Sequence, residues 1–227
     1  MFYRDPEFGS QLITLLAAAV LVLQFLMIGQ RMLLANVRLF AIQSFLLSAI
    51  AWTIAYFLHA PHIYAMAGLT FVLKALVVPW FLRRTIARTE IQREVEPLLN
   101  TPSALLICGG LTLVGYIVAR PFATPTGATA VAKLGHNTLA VAIALVLLGF
   151  FLMIIRRKAL SQVLALLTAE NGLFLAAISL TYGMPLVVEL GILFDVMVAV
   201  MVLGVLVRRI RQTFDSVDVS KLRRLRG

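Results

Sequence analysis

The chain is poor in charged residues and nearly devoid of cysteine. Charged residues make up 13% of its 227 residues, only 10 residues are acidic, and Cys108 is the one cysteine. A soluble domain carries about a quarter charged residues, so this chain has too little polar surface for a water-facing globule. Hydrophobic residues at 61% and a mean hydropathy of +0.98 indicate an integral membrane protein. A single cysteine excludes an internal disulfide, and its apolar surroundings predict a packing role.

The sequence also lacks the motifs of an enzyme that works alone. It contains no Gly-rich phosphate loop, no Cys/His cluster with metal-ligand spacing and no nucleophile beside a base. His59 and His62 are three residues apart, but Pro61 stands between them and no Cys or carboxylate is near. We therefore expect no catalytic, cofactor-binding or metal-binding residue in this chain.

Long hydrophobic runs are abundant. Seven segments reach or nearly reach the roughly 20 residues that a helix needs to cross a bilayer. They are 11–28, 39–58, 63–82, 103–118, 137–155, 159–180 and 186–207. These runs predict an all-α, polytopic membrane protein with seven transmembrane helices. Segment 83–100 instead mixes Arg and Glu with apolar residues at helical spacing, including Ile86. It predicts an amphipathic helix on the membrane surface, or an ordered linker that docks on a soluble partner.

The basic residues are unevenly divided between the two sides of the membrane. Sixteen of the 20 Lys and Arg follow the first, third, fifth and seventh runs, whereas Arg4, Arg120 and Lys133 fall on the other side. The positive-inside rule then places the N-terminus outside and the C-terminus on the cytoplasmic side of the membrane. An odd number of helices requires the same arrangement. The net charge of +10 therefore indicates anionic lipid rather than nucleic acid as the partner.

The order of the runs predicts four regions. They are a three-helix half at 1–82, a linker with the fourth span and an outer loop at 83–136, a second three-helix half at 137–210, and a basic cytoplasmic tail at 211–227. The third and seventh spans align loosely, with Lys74 opposite Asp195. Both halves start outside, so such a repeat would be parallel rather than inverted, and chance similarity is the alternative.

Ionisable residues lie near the centre of three predicted spans. Lys74 is in the third, Glu170 in the sixth and Asp195 in the seventh. A charge at bilayer depth costs on the order of 3 kcal/mol on insertion scales, so such residues usually face a bundle interior or a hydrated cavity. Pro79, five residues after Lys74, removes a backbone hydrogen bond and predicts a kink beside this pocket.

Two interpretations of the buried charges remain open. Water that joins Lys74, Glu170 and Asp195 would make them a proton relay, whereas a static lysine–carboxylate pair would only order the bundle. Glu189 is four residues into the last span. It can reach the outer interface, either as a water-facing residue or as a proton exit.

The second half of the chain carries a family resemblance. The stretches TAENGLFLAAISL at 168–180, MPLVVELGILFDVMVAVMVLGVLVRRI at 184–210 and DSVDVSKLRRLRG at 215–227 resemble hydrogenase 4 component E, as does LKALVVP at 73–79. That family is a membrane subunit of formate hydrogenlyase-type and related group 4 nickel–iron hydrogenase complexes. It is similar in turn to the K subunit of complex I and the C subunit of Mrp antiporters, which are three-helix proteins with membrane carboxylates.

The resemblance implies roles for particular residues. Glu170 corresponds to the carboxylate in the second helix of those small proteins, and Asp195 roughly to that in the third. In the first half of this chain, Gln43 or Ser44 and Lys74 stand where carboxylates are expected. The first half therefore departs from the family pattern and would serve either in conduction or as a docking copy.

The resemblance also implies partners and cofactors. The partners are antiporter-like membrane subunits, a membrane anchor subunit and a cytoplasmic hydrogenase-like module, which would hold the nickel–iron and iron–sulfur centres. We expect a non-catalytic subunit, in a bacterial inner membrane, that couples redox chemistry to proton or sodium movement. The alternatives are a purely structural or docking subunit and a stand-alone secondary transporter. The expected path comprises Glu170, Asp195, Lys74 and Glu189, with Asn171, Gln43 and Ser44 as hydrogen-bonding neighbours.

Overall fold

The fold is a bundle of apolar helices. A computed structural model describes residues 6–59, 61–89, 98–123 and 130–181. Its α-helices are α1 (Pro6–Gly29), α2 (Leu33–Leu58), α3 (Pro61–Thr70), α4 (Val78–Thr89), α5 (Thr101–Ala119), α6 (Ala130–Ile155) and α7 (Ala159–Thr181). A π-helical turn at Phe71–Val77 joins α3 to α4 without a break, and a 3-10 turn at Arg120–Ala123 follows α5.

Within the described residues, six helical segments are long and apolar enough to cross a membrane. They are Glu7–Gly29, Leu33–Phe57, Ile63–Arg84, Thr101–Ala119, Thr138–Ile155 and Leu160–Leu180. These segments match the first six hydrophobic runs, so the prediction of an all-α, multi-pass membrane protein is confirmed for the described residues. The seventh predicted span, 186–207, lies outside them, as does the basic tail. The count of seven helices and the two three-helix halves therefore stay predictions.

Three helices begin five or more residues earlier than the hydrophobic runs predict, and α1 starts at Pro6 rather than at residue 11. α2 starts at Leu33 rather than at residue 39, and so includes Asn36 and Arg38. α6 starts at Ala130, inside the segment that the sequence assigns to the outer loop. Polar residues end a hydrophobic run but need not end a helix, because each added residue extends the helix by one more backbone hydrogen bond.

The segment after the third span is described as far as Thr89. α4 continues without interruption to that residue, and Ile86 is buried in a cluster with Leu82 of the same helix and Phe40 of α2. Ile86 therefore packs against the bundle, and the surface helix or linker expected at 83–100 stays a prediction. The rest of the predicted surface helix, residues 90–97, lies outside the described residues.

α1, α2, α6 and α7 form the centre of the bundle. α1 packs against α2, α5 and α6, while α2 also contacts α3, α4, the π-helical turn and α7. In the most apolar 18-residue stretch of α7, 72% of the residues are buried, compared with 22% in that of α5. α7 is therefore an interior helix, and α5 lies at the periphery.

Close contact between α6 and α7 depends on glycine. A Cβ atom at Gly149 would lie 2.6 Å from the backbone nitrogen of Ala169, and one at Gly172 would lie 2.7 Å from that of Val146. Real Cβ atoms do not approach backbone so closely, so α6 and α7 could not pack at this distance with larger residues. Small residues at helix contacts are typical of membrane bundles, where van der Waals packing drives association.

Candidate functional site

Six polar side chains meet in the interior of the bundle, and we call them the polar layer. They are Gln24 of α1, Gln43 and Ser44 of α2, Lys74 of the π-helical turn, and Glu170 and Asn171 of α7. All six are buried, and even the two charged side chains are only 4% (Lys74) and 6% (Glu170) exposed. Lipid therefore does not solvate them, and their polar atoms interact inside the protein or with water enclosed there.

A chain of side-chain amides joins α7, α2 and α1. Asn171 Nδ2 donates hydrogen bonds to Gln43 Oε1 at 3.3 Å and to Ser44 Oγ at 3.2 Å. Gln43 Nε2 in turn donates to Gln24 Oε1 at 3.1 Å and to the carbonyl oxygen of Val20 at 3.4 Å. Gln24 of α1 is thus hydrogen-bonded to a neighbouring helix.

The amide chain has unused hydrogen-bonding capacity at both ends. Within the described residues, Gln24 Nε2 and Asn171 Oδ1 are buried without a hydrogen-bond partner, and so is Thr70 Oγ1 at the start of the π-helical turn. Buried polar atoms are nearly always paired, either with protein or with ordered water. These three atoms are therefore positions where enclosed water would be held.

Lys74 lies against the face of α7 that carries Glu170. The Nζ atom of Lys74 lies 5.9 Å from the centroid of the Phe174 ring, within the range of a cation–π contact. Phe174 follows Glu170 by four residues, and residues spaced by four share one face of a helix. The lysine thus approaches the face of α7 that carries the carboxylate.

The π-helical turn positions Lys74. Here Val78 donates its backbone N–H to the carbonyl of Leu73, five residues back, instead of the usual four. Pro79 follows directly. It has no backbone N–H group, and its ring would clash with the preceding turn of an ordinary α-helix. The disturbance predicted at Pro79 takes this form, and such π-helical turns occur frequently at functional sites.

The described residues contain five of the seven predicted site residues. Lys74, Glu170, Asn171, Gln43 and Ser44 all belong to the polar layer. Asp195 and Glu189 lie outside the described residues, so their positions stay predictions. No group of three or more His, Cys, Asp or Glu that could hold a metal ion occurs in the part of the chain that the structure describes.

Arg156 has a role that the sequence does not reveal. It is buried, and its Nη2 atom donates hydrogen bonds to the carbonyl oxygens of Met27 at 3.1 Å, Ile28 at 3.3 Å and Gln30 at 2.7 Å. The last carbonyls of a helix have no partner within it, and a cation is favourable there. Arg156 therefore ties the end of α6 to the end of α1. In the sequence, a basic residue directly after an apolar run indicates only a membrane interface.

The helices and the polar layer define a multi-pass membrane protein with charged and amide side chains held in its interior. Residues 137–227 match the family model described as NADH-ubiquinone/plastoquinone oxidoreductase chain 4L. The uncharacterised protein Rv0085 of Mycobacterium tuberculosis is 38% identical over 218 residues, which cover 96% of this chain and 97% of that protein. No solved structure matches the chain significantly.

Hydrogenase-4 component E of Escherichia coli is 28% identical over 221 residues, which cover 96% of this chain and 99% of that protein. The protein of the same name from Shigella flexneri gives the same values. The chain therefore belongs to the same family as Rv0085, and the resemblance to hydrogenase 4 component E seen in its sequence is confirmed.

Proposed function

We propose that this chain is a non-catalytic membrane subunit of a hydrogenase-type, complex I-related assembly, and that its polar layer is part of a proton or sodium path. The proposal is supported by the relatives, because one is by name a component of a hydrogenase. The matching family model is by name a chain of an NADH–quinone oxidoreductase. The redox centres belong to partner subunits, and this chain contributes to the ion movement coupled to them.

The observation that carries the proposal is the burial of both Lys74 and Glu170 within the bundle, with Lys74 over the ring of Phe174, four residues after Glu170. Each charged group costs on the order of 3 kcal/mol at bilayer depth, a cost that leucine at the same positions would not incur. A cost of that size is explained by a function that needs the charges. Ion and proton paths are the usual function of such residues in membrane proteins.

In the proposed path, Glu170 carries the proton and Lys74 stabilises the carboxylate after the proton has left. The buried atoms Asn171 Oδ1 and Gln24 Nε2 hold water beside these groups, since both need a hydrogen-bond partner. From their positions in the predicted seventh span, Asp195 and Glu189 would continue the path toward the outer face. The basic end of the bundle, with Arg31 and Arg156, faces the cytoplasm under the positive-inside rule.

The decisive experiment removes the titratable groups without changing their shape. Glu170→Gln and Asp195→Asn are made in the intact assembly, and proton uptake is measured in inverted membrane vesicles. We expect uptake per electron to fall about tenfold or more, while electron transfer to an artificial acceptor and copurification of the other subunits stay normal. Glu7→Gln, an exposed acid at the start of α1, is the matched control. Normal uptake in both test variants would disprove the path.

A purely structural or docking subunit is the second candidate, and the amide chain from Asn171 to Gln24 favours it because such bonds also brace a bundle. It predicts that Glu170→Gln and Asp195→Asn disrupt assembly, as measured by copurification in mild detergent, without a separate transport defect. A stand-alone transporter would instead move ions when the purified chain alone is placed in liposomes. These three results are mutually distinguishable.

A further inference from the structure

A groove of about 690 Å³ opens on the outside of the bundle between α1, α2 and α5. Its wall is almost entirely apolar and includes Leu21, Val22 and Leu26 of α1, Leu39 of α2 and Leu105 of α5. Gln30, which also lines the groove, lies at its end just beyond α1. The groove is separate from the polar layer, and nothing in the proposed ion path uses it.

The length of the groove matches one leaflet of a bilayer. Its lining residues from Leu21 of α1 to Gln30, just beyond that helix, extend over about 14 Å at 1.5 Å per residue. The hydrocarbon core is about 30 Å thick, so the groove covers about half of it. A transmembrane helix of a neighbouring subunit would need a groove along the whole span, whereas an acyl chain of one leaflet needs only this half.

The lining residues of all three helices lie at the same end of the bundle. α1 ends there, and α2 begins there three residues later with Leu39 in its second turn. A Cβ atom at Gly29 would lie 3.8 Å from the Thr101 side chain, which places the start of α5, and with it Leu105, at this end as well. The groove therefore opens toward one membrane surface.

That surface is basic at the mouth of the groove. Arg31 directly follows Gln30, Arg38 directly precedes Leu39, and both arginine side chains are exposed. The backbone between them is fixed, because the Gln30 carbonyl accepts hydrogen bonds from Arg156 at 2.7 Å and from Asn36 Nδ2 at 3.3 Å. Basic side chains at a membrane surface attract the headgroups of anionic lipids.

We infer that the groove binds one acyl chain of an anionic phospholipid whose phosphate lies between Arg31 and Arg38. The apolar wall takes the chain, and the two guanidinium groups select the charge of the headgroup. The lipid would thereby fill the space between α1 and the peripheral helix α5. The site depends on the charge at its mouth and on the free volume below it, and each can be removed separately.

Photo-crosslinking tests the site in the unaltered protein. The full chain is reconstituted in nanodiscs with phosphatidylglycerol that carries a diazirine on one acyl chain, or with phosphatidylcholine that carries the same chain. We expect cross-links concentrated at Leu26 and Leu105, with a yield at least about fivefold higher for the anionic lipid. Unlabelled phosphatidylglycerol should compete, whereas unlabelled phosphatidylcholine should not.

Paired variants separate charge from volume. Arg31→Gln combined with Arg38→Gln should abolish the preference for phosphatidylglycerol, whereas Arg83→Gln, on a helix that does not line the groove, should preserve it. Leu26→Trp should fill the groove and lower the yield at Leu105 at least about threefold for both lipids, since the chain loses its space. Leu15→Trp, at an exposed position of α1 outside the groove, is its control.

Three results would overturn the inference. The first is an equal yield for the two lipids in the unaltered protein, and the second is cross-linking spread evenly along the exposed face of α1. The third would come from a photoreactive amino acid that replaces Leu26 in the intact assembly. If it captured another subunit rather than lipid, the groove would be a protein contact. Glu170→Gln should leave the lipid yield unchanged, so failure of the ion path would not affect this result.

Discussion

Asn171 of α7 is hydrogen-bonded to Gln43 of α2, with 3.3 Å between Nδ2 and Oε1. Asn171 is the residue after Glu170, so this contact fixes the height of α2 against α7 at the depth of the buried carboxylate. Helices in lipid gain no hydrophobic energy by associating, and polar bonds and close packing set their register instead. The amide pair therefore aligns the helices around the polar layer.

The first prediction concerns this pair. Asn171→Leu and Gln43→Leu should each destabilise the bundle, and the double variant should be less destabilised than the sum, with a coupling of about 1 kcal/mol. The measurement is the unfolded fraction in mixed micelles of mild detergent and dodecyl sulfate. Gln11→Leu, at an exposed position of α1, should combine additively with Asn171→Leu. Full additivity for Asn171 and Gln43 would mean that their contact contributes nothing.

The second prediction concerns Arg156. Arg156→Met should destabilise the chain by about 2 kcal/mol or more, because two α1 carbonyls and that of Gln30 lose a charged donor. Arg156→Lys should be intermediate, since a single ammonium lacks the guanidinium geometry. The same unfolding assay applies, and Arg157→Met removes the same charge from an exposed side chain next to it. An equal loss in the Arg156→Met and Arg157→Met variants would argue against the helix-end contact.

The third prediction concerns the approach of α6 to α7. Gly149→Ala and Gly172→Ala should each destabilise the bundle by about 1–3 kcal/mol, because the added methyl group would overlap backbone. Gly110→Ala is the matched control, since nothing lies within 4 Å of its added Cβ. That variant should be neutral or up to about 1 kcal/mol more stable. Stability is again read from unfolding in mixed micelles, and a neutral Gly149→Ala would contradict the close contact.

The fourth prediction uses the single cysteine. Cys108 is buried in a cluster with Ile28 of α1 and Leu148 of α6, so a maleimide should not label it until the bundle unfolds. The labelled fraction is measured by mass spectrometry before and after addition of dodecyl sulfate. Ser103→Cys in a Cys108→Ala background places a thiol at an exposed position of the same helix and should label at once. Equally fast labelling of Cys108 in the native bundle would show that α5 does not pack as described.

The part of the fold that could be predicted from the sequence is the part that the lengths of the hydrophobic runs determine. A run of about 20 apolar residues has few alternatives to a membrane-spanning helix, so six spans could be placed from composition alone. The same principle singles out Lys74 and Glu170, because a charge within such a run is costly wherever the helix packs. These inferences need no knowledge of neighbouring helices.

The features that could not be predicted from the sequence depend on contacts between helices or on weak local preferences. Arg156 appears interfacial in the sequence, and its burial depends on the end of α1, more than 120 residues away. The earlier start of α6 lies in a Gly/Thr-rich stretch where local propensity is weak. The sequence FVLKALV carries no residue typical of a π-helical turn, and only Pro79 beyond it indicates a disturbance.

Because of the π-helical turn, the side chains before it and after it in the third span face different directions. The turn holds about one residue more than the same length of α-helix would. The side chains of α4 are therefore rotated by roughly 100° from the positions that they would have if α3 continued as a regular α-helix. Lys74 can therefore turn inward to α7 while Trp80 and Arg84, a few residues later, present an exposed cation–π pair on the outside. Removing a single residue from Phe71–Val77 would restore an ordinary helix and leave one half of the span facing the wrong neighbours.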